Sequence, residues 1–454
     1  MSSHVIDSAY FRDLYGSPAM RSVWSDHNLL QKWLDYEAAL ARAEASVGIV
    51  PLEAAAEITR KARADLMDDE AIKRGVDQTV HPLVSLIWQL SEHCENNAGR
   101  YVHWGATTQD VMDTALILQI QQSYPLFQKA LYRLIDTLGK LAIQHRDTPM
   151  AGRTHGQQAL PITFGYKLAV WIAEFQRHQQ RLTECQERVL VGEFGGAVGT
   201  LASVGEIGLR IQEKLMQELG LGVPVIAWHT SRDGITEFSL ILTMIAATLG
   251  KIAHEIIDLQ KLEFGEVEEP FELGKIGSST MPQKRNPMLC EAILALARLI
   301  RTQAVTAVDA MHHEHERDWS SFQMEWAYLP EICVMTHGAL ELTTRVISGL
   351  RVYPENMRRN LNVTGGSLLA ERVMLALGEH IGRQSAHDVI YEAAMHSFEQ
   401  HIAFATVLKA DARVTDYLDV ATLDTLLDPV EYLGLSAQFV DRVVQSLDFD
   451  GTWS

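Results

Sequence analysis

A short polar segment between two long helical patterns carries side chains that are suited to chemistry. It spans residues 274–287, GKIGSSTMPQKRNP, where two glycines permit backbone motion and two prolines prevent a helix. It supplies two hydroxyls, two cations and an amide: Ser278, Ser279, Lys284, Arg285 and Asn286. A mobile hydroxyl beside fixed positive charge is suited to removing a proton next to a carboxylate, because the cations and the amide can hold the developing anion. The alternative is an ordinary linker with chance serine and lysine residues.

A second polar stretch contains two adjacent hydroxyls. Residues 103–110, HWGATTQD, place Thr107 and Thr108 just before a helical pattern. A helix N-terminus favours an anion, so these hydroxyls are candidates for binding a carboxylate. The alternative is that Thr108 or Asp110 only caps the helix.

A third polar stretch contains a histidine between glycines. Residues 152–161, GRTHGQQALP, carry His155 and Gln157. Imidazole is the side chain best tuned to donate a proton near neutral pH, so His155 is a candidate proton donor. A lone histidine is more often structural, and that interpretation stays open at this point.

The segment GSSTMPQKRNP resembles the signature loop of the fumarase/aspartase superfamily, which includes fumarase, adenylosuccinate lyase and 3-carboxy-cis,cis-muconate cycloisomerase. The resemblance implies that Ser278 is the catalytic base and that Lys284 and Asn286 bind a substrate carboxylate. Ser279 and Arg285 belong to the same loop, and we expect them to contact the substrate as well.

The resemblance extends to the other two stretches. It implies that Thr107 and Thr108 bind a carboxylate, and that His155 donates a proton or binds substrate beside Gln157. Proton abstraction and elimination need neither a metal nor an organic cofactor. We therefore expect neither in this protein.

Two further residues match positions of superfamily lyases. Glu291 lies one turn into the helix after the signature loop, where lyases carry a glutamate that orients the histidine. His81 matches a second lyase histidine that assists departure of the leaving group. The alternatives are an exposed first-turn acid for Glu291 and a helix-start histidine for His81.

Long amphipathic patterns with three- and four-residue spacing predict an all-α protein. The longest lie at 111–146, which Pro125 should kink or split, and at 162–191, 235–264, 288–312 and 329–349. We predict three helical domains at 1–105, 106–350 and 351–454, of which the second is a long-helix bundle.

Several of these helices are apolar around most of their circumference, as in AILALARLI and FSLILTMIAATL. Such helices must be buried on all sides, so we expect packing against other copies of the chain, with a larger single-chain core as the alternative. The resemblance implies a homotetramer whose bundles form one helical core and whose active sites are shared between subunits.

Composition excludes several classes of partner. The chain has 454 residues and a formal charge of −19, which disfavours nucleic acid and anionic membrane surfaces. Its four cysteines lack metal-ligand spacing and indicate a reducing compartment. The polar, acidic start is unlike a secretory signal, and the most apolar run, 238–250, is too short to span a bilayer. We expect a cytoplasmic protein.

Comparison within the superfamily argues against a nucleotide substrate. Adenylosuccinate lyases carry phosphate-binding arginines where this chain has Leu14, Val80, Gly234 and Trp326. The stretches SPAMRSVWSD, YVHWGATTQDVMDT, WHTSRD, HEHERD and EWAYLPEIC are similar to the carboxymuconate cycloisomerases. Those bacterial cycloisomerases, however, have tryptophan at the position of His155, a small residue at that of Glu291 and an apolar residue at that of His81.

These comparisons predict a cycloisomerase-like protein with lyase chemistry: β-elimination of a nitrogen or oxygen leaving group from a succinyl-type dicarboxylate, with release of fumarate or a similar product. Trp326 and Trp104 would form an apolar wall in place of phosphate contacts, unless they are only core aromatics. One alternative is a true lactonising 3-carboxy-cis,cis-muconate cycloisomerase, and a remote one is a non-catalytic structural protein. The sequence leaves open the leaving group, the direction and the pathway.

Overall fold

The computed structural model describes residues 4–271, 280–281 and 283–447. Its first part contains six helices: α1 Arg12–Tyr15, α2 Pro18–Val23, α3 Asp26–Ser46, α4 Leu52–Lys61, α5 Asp69–Thr79 and α6 Val84–His93. The middle part contains α7 Thr108–Gln144, α8 Phe164–Glu184, α9 Gln186–Val189, α10 Ile207–Leu219, α11 Asp233–Gln260, α12 Met288–Asp309 and α13 Trp319–Ser348. The last part contains α14 Pro354–Leu361, α15 Ala370–Ile381, α16 Arg383–Gln400, α17 Phe404–Ala410, α18 Ala412–Thr415, α19 Val420–Leu426 and α20 Ser436–Gln445. The predicted all-α class is confirmed.

The long helices agree with the predicted amphipathic patterns. In α3, the Ser25 hydroxyl caps the N-terminus by accepting from the Asn28 N–H at 3.3 Å, and Gly48 follows the helix with a φ of 85°. We expected Pro125 to kink or split this helix; α7 continues through Pro125, so the split is wrong. A proline removes one backbone donor, and 37 residues of otherwise helical sequence outweigh that loss.

In the described residues, four short strands interrupt the helical architecture. Strands β1 Pro149–Thr154 and β2 Gln157–Thr163 form an antiparallel hairpin, and β3 Val267–Glu268 pairs with β4 Arg351–Val352. The first hairpin replaces the loop expected at 152–161. His155 and Gly156 form its two-residue turn with φ values of 52° and 75°, as type I′ turns require.

Contacts within the chain divide it into two compact units. Unit 1 comprises Met1–Leu131, His178–Leu249 and Ala295–Glu341, and unit 2 comprises Tyr132–Arg177, Gly250–Leu294 and Leu342–Ser454. Five helices have residues in both units, namely α7, α8, α11, α12 and α13. The three-domain division at 105 and 350 stays a prediction.

Each unit has a buried apolar core. In unit 1, α3 buries Leu34 and Leu40 completely or nearly so, and α7 buries Phe127. In unit 2, α15 to α19 enclose a cluster that includes Val373 and Phe404. Among the described helices, α11 alone is long and apolar enough to cross a membrane. However, 56% of its most apolar 18-residue stretch is buried inside the protein, and the core helices of soluble proteins can be equally long and apolar.

Candidate active site

The start of α7 presents Thr107 and Thr108 through an acidic anchor. Thr107 directly precedes the helix, and its N–H donates to the Asp110 carboxylate at 2.9 Å. This is the reciprocal half of a capping box, with the acid three residues into the helix. Of the two possible caps, Thr108 and Asp110, it is therefore Asp110 that caps the helix. The Thr108 hydroxyl is left to contact another residue.

That partner is His81. The Thr108 hydroxyl lies 3.2 Å from the His81 Nε2, and the His81 Nδ1 accepts from the Val84 N–H at 3.3 Å. Because Nδ1 accepts, a neutral His81 carries its proton on Nε2 and donates it to the Thr108 oxygen. Burial lowers the pKa of His81, and the positive charge of nearby His103 lowers it further. His81 is therefore neutral near pH 7 and holds a transferable proton.

His103 supplies the positive charge in this part of unit 1. Its Nδ1 lies 2.7 Å from the Glu37 carboxylate, which is fully buried in α3. Burial alone would lower the pKa of His103, but the charge and hydrogen bond of Glu37 outweigh it and raise the pKa. The imidazolium form is thus favoured beside His81 and the helix N-terminus, and both features favour a bound anion.

A buried ionic cluster fixes α7 behind this pair. The Arg232 guanidinium, completely buried, donates to both oxygens of Asp113 and to both oxygens of Glu325. The rings of Trp228 and Phe322 lie 5.0 and 5.3 Å from its charged carbon. Helices α7 and α13 therefore meet at one cation, which directly precedes α11.

A second buried cluster holds the loop that faces the start of α7. Asp110 accepts from the backbone N–H groups of Gly195 and Gly196 at 2.9 and 3.0 Å, and from the His229 Nε2 at 2.9 Å. Glu193 accepts from the Trp228 N–H at 2.6 Å. Burial, with the charges of neighbouring aspartates, raises the pKa of Glu193 to about 10, so this acid is neutral in the folded protein at pH 7.

The oxygens and nitrogen of Asp110, Glu193 and His229 lie close enough together to hold a metal ion. However, both Asp110 oxygens already accept two hydrogen bonds each, from N–H groups and the His229 ring. A cation would have to displace those donors and would also need to ionise Glu193. The donor set fits a structural hydrogen-bond network better than a metal site.

The sequence-based prediction missed these buried clusters. Most of their members lie in stretches that carried the superfamily resemblance, namely YVHWGATTQDVMDT, WHTSRD and EWAYLPEIC. Of these members only Asp110 was given a role, as a possible helix cap. A usable signal was present at the start of α7, where Asp110 and Asp113 stand just before the apolar run at 115–118. A charged pair at such positions must be buried and neutralised by partners elsewhere in the chain.

Unit 2 carries the other described candidates. His155 lies exposed at the tip of the first hairpin, and Gln157 begins the return strand. Within the described part of unit 2, no hydrogen bond or ion pair joins His155 to Glu291, which is exposed in the first turn of α12. Their pairing stays a prediction.

The end of the signature loop is tied to a second acidic anchor. Arg285 donates to Glu268 at 2.7 Å, and Tyr353 donates to the same carboxylate at 2.5 Å. Burial would raise the pKa of Glu268, but these two hydrogen bonds lower it below its usual value. Lys284 is exposed, whereas Asn286 is partly buried. Ser278 and Ser279 lie outside the described residues.

The carboxylate of Glu269 fixes the helix that follows the loop. It accepts from the backbone N–H groups of Leu289 and Cys290 at 3.0–3.1 Å, at the N-terminus of α12. The chain thus leaves the signature loop into a capped helix. The structure brings together His81 and Thr108 in unit 1, whereas His155, Gln157, Lys284, Arg285, Asn286 and Glu291 belong to unit 2.

Comparisons with known proteins cover nearly the whole chain. Residues 15–301 match a family model described as Lyase, and residues 366–443 match one described as Adenylosuccinate lyase C-terminus. The N-acetyl-S-(2-succino)cysteine lyase of Dickeya dadantii strain 3937 is 42% identical over 451 residues, which is 99% of each chain. The 3-carboxy-cis,cis-muconate cycloisomerase of Pseudomonas aeruginosa is 42% identical over 97% of each chain. The solved structure of a fumarate lyase from Mesorhizobium sp. BNC1 has a TM-score of 0.90 and 42% identity, covering 95% of this chain and 99% of that one.

Proposed function

Because this chain belongs to the fumarase/aspartase superfamily, we propose that it eliminates a leaving group from a succinyl-type dicarboxylate and releases fumarate or a fumarate-like product. The observation that carries this proposal is the contact between His81 and Thr108 at the N-terminus of α7. A neutral histidine with its proton on Nε2, beside a hydroxyl and a helix N-terminus, is suited to hold a carboxylate and to protonate a departing atom.

The proposed reaction begins with proton removal. Ser278, as an alkoxide or activated hydroxyl, takes the proton from the carbon next to a carboxylate, and the electron pair passes into that carboxylate. Lys284 and Asn286 hold the resulting dianion, with Ser279 and Arg285 as further contacts of the loop. The bond to the leaving atom then breaks as the carbon–carbon double bond forms.

Substrate binding and protonation are assigned to the remaining candidates. Thr107, Thr108 and Gln157 bind the carboxylates, and His155, oriented by Glu291, protonates or holds the departing atom. As the superfamily resemblance implies, we propose that one active site takes its residues from several subunits of a homotetramer. We further propose that the protein is cytoplasmic and needs no cofactor.

The leaving atom is proposed to be sulfur or nitrogen. The sequence predicted nitrogen or oxygen as the leaving atom. The Dickeya relative is named for cleaving a succinyl thioether, so sulfur is added to these candidates. Lactonisation of 3-carboxy-cis,cis-muconate is the second candidate, because the Pseudomonas cycloisomerase has the same 42% identity. Identity therefore does not separate the two reactions, whereas the presence of His81, His155 and Glu291 favours elimination.

Proton NMR tests the proposal directly. The purified protein is incubated with fumarate and a panel of thiols and amines, and separately with 3-carboxy-cis,cis-muconate. We expect succinyl adducts to form, and Ser278→Ala to slow their formation by at least about 100-fold, as loss of a catalytic base does. Ser46→Ala, which removes a hydroxyl at the end of α3, is the matched control and should keep full activity. Lactone formation without any adduct would establish the cycloisomerase instead.

A further inference from the structure

Unit 1 contains a cavity of about 750 Å³ that the proposed chemistry leaves unassigned. Its walls come from the N-terminal segment with α2 and α3, from α7, and from α13. The volume lies within the range of small-molecule sites. It is larger than a fumarate group needs, so it has room for a second part of the substrate.

The cavity lies along the same face of α7 as Thr108 and next to the residue that follows His81. Helix α7 contributes Met112, Leu116 and Gln119 to the wall, which follow Thr108 at spacings of four, eight and eleven residues. Residues at these spacings share one face of a helix, so the face that presents the Thr108 hydroxyl also forms the cavity wall. Pro82, directly after His81, lines the cavity as well. A ligand bound at Thr108 and His81 therefore extends into this space.

Three tryptophans give the cavity an aromatic wall: Trp24, Trp33 and Trp326. Trp326 packs edge-on against Trp319 with ring centroids 5.4 Å apart, and 39% of it remains exposed. The face of such a ring carries the negative part of the ring quadrupole. It therefore attracts apolar groups and cations and repels anions.

The charged groups of the cavity are mostly acidic. Among the described lining residues the acids are Asp7, Asp26, Asp113 and Glu331, and Arg21 is the one cation. Arg21 is already committed, since it donates to the Arg12 carbonyl at 2.8 Å and to Asp7 at 3.4 Å. Asp113 is paired with Arg232 and Asp7 with Arg21, so at least Asp26 and Glu331 remain as net negative charge.

We propose that this cavity receives the leaving group of the elimination, and that this group is an apolar thiol or amine that carries no negative charge. The inference rests on the proposed lyase function and adds the chemical class of the leaving group. In the reaction, the carbon–hydrogen and carbon–sulfur (or carbon–nitrogen) bonds break and the carbon–carbon double bond forms. The leaving atom keeps the electron pair of its bond and takes up one proton.

A matched pair of thioethers tests this proposal. One is the S-succinyl adduct of N-acetylcysteamine, whose leaving group is neutral, and the other is the S-succinyl adduct of N-acetylcysteine, which differs by one carboxylate. We expect kcat/KM for the neutral adduct to exceed that for the anionic one by at least about tenfold, because like charges in a partly desolvated cavity repel. The S-succinyl adduct of cysteamine, with a cationic amine, should also react faster than the anionic adduct.

Two variants locate the discrimination. Trp326→Arg adds a cation to the cavity wall and should reduce the preference for the neutral adduct by about tenfold or more. Trp88→Arg is the matched control, because Trp88 is 55% exposed on α6 and does not line the cavity. It should leave the ratio unchanged.

The outcomes separate the two levels of the proposal. Equal rates for the paired adducts, or a preference for the anionic one, would overturn the leaving-group assignment while the lyase function stands. An unchanged ratio in a folded Trp326→Arg variant would show that the leaving group binds elsewhere. If neither adduct is cleaved and no fumarate is released, the lyase function fails and the assignment falls with it.

Discussion

Glu44 is a buried acid whose replacement should stabilise the protein. It lies in α3 with no exposed surface, and neither carboxylate oxygen has a hydrogen-bond partner within the described part of the chain. Burial, together with the charge of Glu37 two turns earlier, raises the pKa of Glu44 from 4.5 to about 9. Methionine has a similar length and no charge, so Glu44→Met should fill the same space without a polar group.

The size of the effect follows from the difference in pKa between the two states. Above pH 4.5 the unfolded chain releases this proton, whereas the folded chain keeps it up to about pH 9. The contribution of Glu44 is therefore most favourable below the unfolded pKa, and it worsens by about 1.4 kcal/mol per pH unit as pH rises toward the folded pKa. At about pH 7.5 the destabilisation of the folded protein by Glu44 is on the order of 4 kcal/mol. The unpaired buried carboxyl adds a smaller cost.

Urea unfolding at several pH values measures this directly. The apparent free energy of unfolding of Glu44→Met should exceed that of the wild type by a few kcal/mol near about pH 7.5, and the difference should shrink toward about pH 5. Glu53→Met, at an exposed acid of α4, is the matched control and should show no such pH dependence. A gain that stays constant from about pH 5 to about pH 8 would mean that Glu44 is ionised or paired in the folded protein, and the reasoning would be wrong.

Three further substitutions test the site. Arg232→Met leaves two buried carboxylates without their cation and should reduce the free energy of unfolding by about 3–5 kcal/mol, measured with urea. Glu37→Gln removes the partner of His103, so the pKa of His103, followed by histidine-selective NMR, should fall below its ordinary value. In the wild type the ion pair stabilises the folded protein most at low pH, and this contribution fades as pH rises through the raised pKa of His103. The variant should lack this contribution. Thr108→Val removes the acceptor of the His81 proton and should reduce kcat/KM for adduct cleavage by about 10- to 100-fold without unfolding the protein, whereas Thr108→Ser should retain most activity.

The helices could be predicted from the sequence because their information is local. Apolar residues recur at helical spacing over long stretches, and caps such as Ser25 and Gly48 stand where α3 begins and ends. The hairpin at 149–163 was missed because its strands are short and its polar turn, His155-Gly156, is typical of loops as well. Local composition does not separate the two until the partner strand is known.

The candidate residues could be named from their types and from the superfamily resemblance, but their contacts could not. His81 and Thr108 are 27 positions apart, and the partners of Arg232 lie 119 and 93 positions away. No periodic pattern specifies pairs at such separations. The structure adds the tautomer of His81 and the capping bond of Asp110, which depend on side-chain geometry within a few residues. It also adds the neutral state of Glu193, which depends on aspartates about 80 positions away.

Stretches such as WHTSRD and EWAYLPEIC resemble the superfamily although they contain no candidate catalytic residue. The buried clusters give these stretches a structural role. Arg232 fixes α7 through Asp113, and Asp110 fixes the start of the same helix through the loop at Gly195. Because the Thr108 hydroxyl stands at that start, its position depends on residues that never touch substrate. A variant in these clusters should therefore change stability and kcat/KM together, whereas Trp326→Arg should change the choice of leaving group alone. That contrast separates residues that position the site from residues that select its substrate.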